Sequence, residues 1–303
     1  MERERLKAYI AIILSMSFFA FSYVWFKVAN EVFPPFTIVF LRLLVSAIIL
    51  WVFLSLSGRV EKIKEGDHIY FFLIAFCEPF LYFLFEAHGL SMVSSTVASV
   101  VIATIPVFTA IGALIIFREK LSRLNYAGVV VSFTGIIVFM IAGESNLSFH
   151  PLGILLMFMA VICATAYSLL LRRLINSYGP IFIVAVQNAI ALILFTPFFL
   201  LISGSGISSL VWSAASLTAI LRLAVFASSA AFILLAYSVR RIGITRANLF
   251  ANIIPVLTAL YAFYTFGESF TIEKMAGIAI MITGLYMSQV NGRHGAVGEN
   301  MHD

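Results

Sequence analysis

Ten apolar stretches follow one another along this chain, each long enough to cross a lipid bilayer and each closed by a short break containing Gly, Pro or charge. A spanning helix needs about 20 predominantly apolar residues. Within hydrocarbon every backbone N–H and C=O must be satisfied inside the segment, which a helix achieves alone. The stretches fall at 7–29, 35–56, 68–88, 93–117, 124–142, 151–171, 180–202, 213–238, 244–267 and 271–290, called spans 1 to 10 below. The breaks are about ten residues at most, too short for a soluble domain. Composition agrees, since 62% of residues are hydrophobic, 11% are charged and mean hydropathy is +1.07. A soluble domain carries about 25% charged residues. The expected fold is an all-α polytopic membrane protein with ten transmembrane helices. Span 1 is too long for a signal-peptide core and no small-residue cleavage pattern follows it, so it is read as retained. Cys77 and Cys163 lie inside apolar runs, which argues against a disulfide scaffold or a four-cysteine metal site.

The net charge of +5 takes its meaning from position. With the N-terminus in the cytoplasm, fifteen of the 19 basic residues fall on the cytoplasmic side, among them Arg3, Arg59, Lys64, Arg118, Arg172, Arg240 and Arg293. Only Lys27 and Lys274 fall outside, while Arg42 and Arg222 lie within spans. This bias supports the ten-span count, cytoplasmic termini and insertion in the plasma membrane, which is the inner membrane of a bacterium. Because the bases are spread over separate loops, no nucleic-acid surface is expected.

Shifting the chain by 149 residues aligns 94–139 with 243–288 without a gap. Fourteen positions are identical, including Pro106 with Pro255, Thr109 with Thr258, Glu119 with Glu268, Gly128 with Gly277 and Gly135 with Gly284. A shift of 146 aligns the earlier spans more weakly, setting Pro34 on Pro180, Lys27 on Arg173 and Arg42 on Asn188. Five spans per copy is an odd number, so the copies enter the membrane in opposite directions. Inverted repeats of this kind characterise secondary transporters, with a midplane site between the halves. The expected division is a first repeat over 1–145, a second over 146–291 and a disordered cytoplasmic tail over 292–303. A duplicated structural bundle is the alternative.

Arg42 in Phe40-Leu41-Arg42, the mid-span prolines of spans 4 and 9, and the paired pattern Glu119, Gly128, Gly135 and Glu268, Gly277, Gly284 resemble the EamA branch of the drug/metabolite transporter superfamily. The resemblance covers residues 7–290. It implies ten helices in a 5+5 inverted arrangement and export or exchange of small metabolites, amino-acid and aromatic-compound exporters being among its better-known members. Asn188, where the first repeat has Arg42, departs from a symmetric pattern and makes the halves unequal.

Ionisable side chains at membrane depth cost roughly 2.5–3.5 kcal/mol each on insertion scales, so each is a functional candidate. Arg42, Glu78, Glu86 and Arg222 stand out. Glu78, Tyr82 and Glu86 recur at i, i+4 and i+8, on one face of span 3. That face is expected to line an aqueous pathway, with Glu78 as the proton or cationic-group site and Pro79 bending the helix beside it. The alternative is that Glu78 pairs with a buried Arg for stability and Glu86 sits at the outer interface. Arg222, with Ser229 expected on its face, is the candidate for an anionic substrate group, against a structural ion pair with Glu78. Arg42, nearer the outer end of its span, is read first as orienting a neighbouring helix or gate and second as touching substrate.

Pro106 and Pro255 are expected to break spans 4 and 9, leaving carbonyls that line a cavity. Asn248 and Asn252, with Ser99 as the repeat partner of Asn248, are expected to form a polar cavity wall, or else to hold helices together. Trp25, Tyr23, Tyr167 and Tyr237 are the candidate cavity aromatics, against a packing role for each. The paired glycines at seven-residue spacing are read as close helix packing.

The sequence holds no phosphate-binding loop, Gly-x-Gly-x-x-Gly or HExxH motif. No catalytic residue, cofactor or metal is therefore expected. The expected function is alternating-access export or exchange of small metabolites, amino acids or amino-acid-like and aromatic compounds above all. A passive channel or an intramembrane hydrolase using Ser and His88 is the alternative. The lipid bilayer and a small molecule are the expected partners, in a monomer or homodimer.

Overall fold

In the computed structural model the described residues are 2–117, 150–203, 212–243, 247–248, 250–267 and 271–289, with individual positions between 124 and 138. Among them no strand occurs. Span 1 is the helix Glu2–Asn30, span 2 Pro35–Leu56 and span 3 His68–Met92. Span 4 is split into Ser95–Ile102 and Ile105–Phe117. Span 6 is Pro151–Leu174, span 7 Pro180–Leu201 and span 8 Ala214–Ile242. Span 9 enters through a tight turn, Phe250–Ile253, into Ile254–Phe266, and span 10 is Ile272–Gln289. The described positions of span 5 are helical, while Glu119, Glu268 and the tail 292–303 lie outside the described residues.

The helix starts follow from local chemistry. Pro35, Pro151 and Pro180 open spans 2, 6 and 7, where a missing N–H costs no intrahelical bond. Ser94 and Ser213 cap spans 4 and 8 by accepting the N–H of Val97 and Ser216. Glu78 has extended backbone angles, φ −150° and ψ 121°, because a residue before proline is driven out of the helical region. Span 3 therefore kinks at the acid itself. Span 4 breaks at Ala103–Thr104, where the Thr104 hydroxyl donates to the Val101 carbonyl at 2.6 Å. Span 9 tightens at the equivalent place. In both, the proline sits one residue inside the second half-helix.

The packing repeats itself across a pseudo-two-fold axis. Span 3 lies on span 6 as span 8 lies on span 1, span 4 on span 6 as span 9 on span 1, and spans 2 and 7 on each other. Span 5 crosses span 10 so closely that a Cβ on Gly135 would overlap backbone of Gly277 and Met281. A Cβ on Gly284 would likewise overlap backbone of Gly128 and Ser132. The pairing of Gly128 with Gly284 and of Gly135 with Gly277 is antiparallel, so the equivalent helices of the two repeats run in opposite directions. Among the described residues six helices are long and apolar enough to cross a membrane, and two shorter apolar ones accompany them. Their outward faces expose Ile48, Phe53, Leu155, Ile162, Ile193 and Leu221, large apolar side chains that suit a lipid surrounding. The chain is an all-helical polytopic membrane protein, and its described helices fall at the ten expected spans, in two inverted sets of five.

At one end the loop after span 2 grips the loop after span 6. The Glu61 carboxylate accepts the Gly179 N–H at 2.8 Å, and Tyr178 donates its hydroxyl to Asp67 Oδ2 at 2.8 Å while accepting the Lys64 N–H at 2.9 Å. Arg173 stands 3.8 Å from Asp67 and over the Tyr70 ring.

Candidate functional site

Between the halves lies a cavity walled by spans 1, 3, 4, 6, 8 and 9, with Arg42 entering from span 2. Part of its lining is paired between the repeats. Ser22 of span 1 and Ser168 of span 6, Ile102 and Ala251, and Ile105 and Ile254 are repeat-equivalent pairs in which both members line it. Its charge is one-sided. Span 3 contributes Glu78, Tyr82, Phe83 and Glu86, whereas the equivalent span 8 contributes Leu235.

The kink at Glu78 keeps Glu78, Tyr82 and Glu86 on the cavity face. Tyr82 donates its hydroxyl to Glu86 Oε1 at 2.8 Å. Arg42, only 3% exposed, comes in from span 2, with Nη1 at 3.9 Å from Glu86 Oε2 and the guanidinium carbon 3.9 Å above the Phe83 ring centre. Its Nε donates to Ser228 Oγ at 2.8 Å. Arg42 thus both lines the cavity and ties span 2 to span 8. Glu78, 8% exposed, lines the cavity with no hydrogen bond or ion pair from any described residue. The buried arginine pairs with Glu86 rather than Glu78, and Glu86 is buried in the cavity wall rather than set at an interface.

The structure does not bring Arg222 to this cavity. Its side chain is exposed on the outside of span 8, and the expected face shared with Ser229 does not exist. The reason is helical pitch, because Leu223–Ala231 is wound in wide π turns. At roughly 4.4 residues per turn, the seven residues from Arg222 to Ser229 cover about 1.6 turns instead of nearly two. Ser229 therefore turns inward, its hydroxyl donating to the Ala224 carbonyl five residues back.

Tyr23 and Tyr167 line the cavity, and Tyr167 donates to Gln187 Oε1 at 3.2 Å. Trp25 is buried outside it, its indole N–H donating to the Tyr261 hydroxyl at 3.2 Å. Tyr237 lies at the end of span 8, its hydroxyl 3.5 Å from Glu4 and its ring beneath Arg241. Asn248 lines the cavity, the Asn252 side chain lies outside the described residues, and Ser99 is fully buried with its hydroxyl on the Thr96 carbonyl. Ile102 and Ala251, four residues before Pro106 and Pro255, both line it.

Sequence reasoning missed a junction behind Arg42. Asn188 Nδ2 donates to Ser46 Oγ at 2.8 Å and to the Ser228 carbonyl at 2.9 Å, and Ser46 meets Ser229 Oγ at 2.7 Å. The repeat-equivalent Arg42 and Asn188 thus converge on one residue of span 8. Only the polar type of Asn188 within a span could have signalled it.

The sequence model of the EamA-like transporter family matches residues 6–141 and again 151–289. An uncharacterized transporter of Archaeoglobus fulgidus is 25% identical over 282 residues, covering 93% of this chain and 98% of the relative. The uncharacterized transporter YcxC of Bacillus subtilis is 25% identical over 303 residues, covering 96% and 95%. A solved crystal structure superposes with a TM-score of 0.71 at 17% identity, covering 97% of this chain and 98% of its own, a likeness of fold. The two family matches coincide with the two inverted halves that wall the cavity, and the chain belongs to the EamA-like transporter family.

Proposed function

We propose that this chain is a secondary transporter working by alternating access, which exports or exchanges small metabolites through the cavity between its halves. Amino-acid-like and aromatic compounds are the class it suits best. One observation carries this reading. Two carboxylates, an arginine and three phenols from apolar helices face one cavity, part of whose lining comes in repeat-equivalent pairs from two inverted halves. Groups so costly in lipid gather round a hollow where a polar solute passes. With no phosphate-binding loop in the sequence, the drive is a solute gradient, exchange or protons, and Glu78 is the group placed to exchange a proton or a cation. The bias of basic residues supports cytoplasmic termini in a plasma membrane.

The test is counterflow of labelled amino acids and amines in liposomes holding the purified protein. Uptake of intact label against preloaded solute is expected. Chemically converted label would mean hydrolysis, and flux without saturation or counterflow would mean a channel. Glu78→Gln is expected to remove the pH dependence of counterflow, and an unchanged pH profile would take the proton role away from Glu78.

A further inference from the structure

We propose, building on the transport reading above, that the cavity holds its solute by an ammonium group on the Glu78 carboxylate and has no subsite for a solute carboxylate. Small monocationic amines with an apolar or aromatic body are then its preferred ligands. Charge counting within the cavity leads there. The described lining residues include one cation, Arg42, and two carboxylates, Glu78 and Glu86. The charge of Arg42 is balanced by Glu86 at 3.9 Å, its Nε donates to Ser228 and its guanidinium lies over Phe83, while Glu86 takes a further hydrogen bond from Tyr82. One carboxylate is left, Glu78, more than nine-tenths buried, facing the cavity and with no hydrogen bond or ion pair among the described residues.

An unpaired ionised carboxylate in such surroundings is costly until a countercharge or a proton arrives. An ammonium group supplies the countercharge together with N–H donors, giving charge-assisted hydrogen bonds. The walls beside it, Phe19, Tyr23, Phe83 and Tyr167, suit an apolar or aromatic body. Among the described lining residues a solute carboxylate meets no cation whose charge is not already balanced, since Arg42 pairs with Glu86 and Arg222 stands outside. Its desolvation would go uncompensated. The amino-acid-like class is thereby narrowed to members lacking the carboxylate.

The experiment uses the purified full chain and three ligands with one aromatic body: phenethylamine, a monocation; L-phenylalanine, a zwitterion; and N-acetyl-L-phenylalanine, an anion. Affinities come from ligand-dependent shifts in melting temperature. Phenethylamine is expected to bind about ten- to a hundredfold more tightly than the anion, with the zwitterion between. Glu78→Gln is expected to lose about tenfold or more for phenethylamine, and Glu78→Asp to keep part of it. Should neither variant fold, the order of the three ligands on the unaltered chain decides alone. Equal or tighter binding of the anion, no binding of phenethylamine at millimolar concentration, or unaltered affinity in Glu78→Gln would overturn the proposal. Phenethylamine binding through Glu78 without counterflow of its label would sink the transport reading and leave this one standing. Counterflow of L-phenylalanine unchanged by Glu78→Gln would do the reverse.

Discussion

Arg42 is the residue on which two roles of the molecule meet. It neutralises Glu86 in the cavity wall and fastens span 2 to the Ser228 hydroxyl of span 8. Removing one member of a buried ion pair leaves the other uncompensated, at about 3–5 kcal/mol. Arg42→Met is therefore expected to lower the melting temperature of the detergent-solubilised protein sharply, and the double variant Arg42→Met with Glu86→Gln to recover much of the loss. A double variant no better than Arg42→Met would show that the arginine stabilises through Ser228 rather than Glu86. Arg42, Glu78 and Glu86 were legible in the sequence because an ionisable group inside an apolar run is an anomaly. Ser46, Ser228 and Gln187 were not, since serines are ordinary packing residues of membrane helices and become part of a junction only through what the neighbouring span offers. Arg222 shows the converse, an anomaly that faces outward. Arg222→Ala is expected to keep counterflow within about twofold, as surface changes away from special features generally have small effects; loss of counterflow in a folded variant would return it to the pathway.

At the scale of elements, the apolar runs marked the spans because hydrophobic length is written in the chain itself, and the paired prolines foretold breaks in spans 4 and 9. Spans 3 and 8 both contain wide or broken turns at equivalent places, Phe76–Leu81 and Leu223–Ala231, yet only the first carries a proline. The second has no local cause in its residue types, so regular periodicity misassigned its faces, and Ser229 with it. The glycines of spans 5 and 10 are the opposite case, small residues whose spacing already indicated close packing. Because the obstacle to a Cβ at Gly135 or Gly284 is backbone of the facing helix, the clash cannot be relieved by a rotamer change. Gly135→Ala and Gly284→Ala are each expected to destabilise by about 1–3 kcal/mol, the usual cost of overpacking. The pseudo-two-fold axis makes the two losses comparable in thermal melting. Neutral effects at both positions would mean the helices do not cross this closely.

Across the whole molecule the two repeats share architecture but not chemistry, and the ends differ as the cavity walls do. A shift of 146 residues carries Phe33 to Gly179 and Gly66 to Trp212. At one end the edge of Phe33 meets Trp212, rings 5.2 Å apart, whereas the corresponding loops at the basic end are held by Glu61, Asp67 and Tyr178. Each interaction joins one repeat to the other, so each resists separation of the halves at its own end. Only the polar one responds to pH. Loss of solvation is the main cause that lifts the Tyr178 phenol above its ordinary value, and the hydrogen bond it donates to Asp67 acts in the same direction. A group raised on folding contributes stability that is complete below its unfolded value, about 10 for tyrosine, and is lost as pH rises through the higher folded value. Melting temperature is therefore expected to decline above about pH 10 as this contribution goes. Tyr178→Phe, which removes a hydrogen bond contributing about 0.5–1.5 kcal/mol, is expected to start lower and to decline less steeply there. Melting curves recorded from neutral pH upward for both proteins test this, and parallel declines would show that the clasp between the repeats does not depend on the Tyr178 proton.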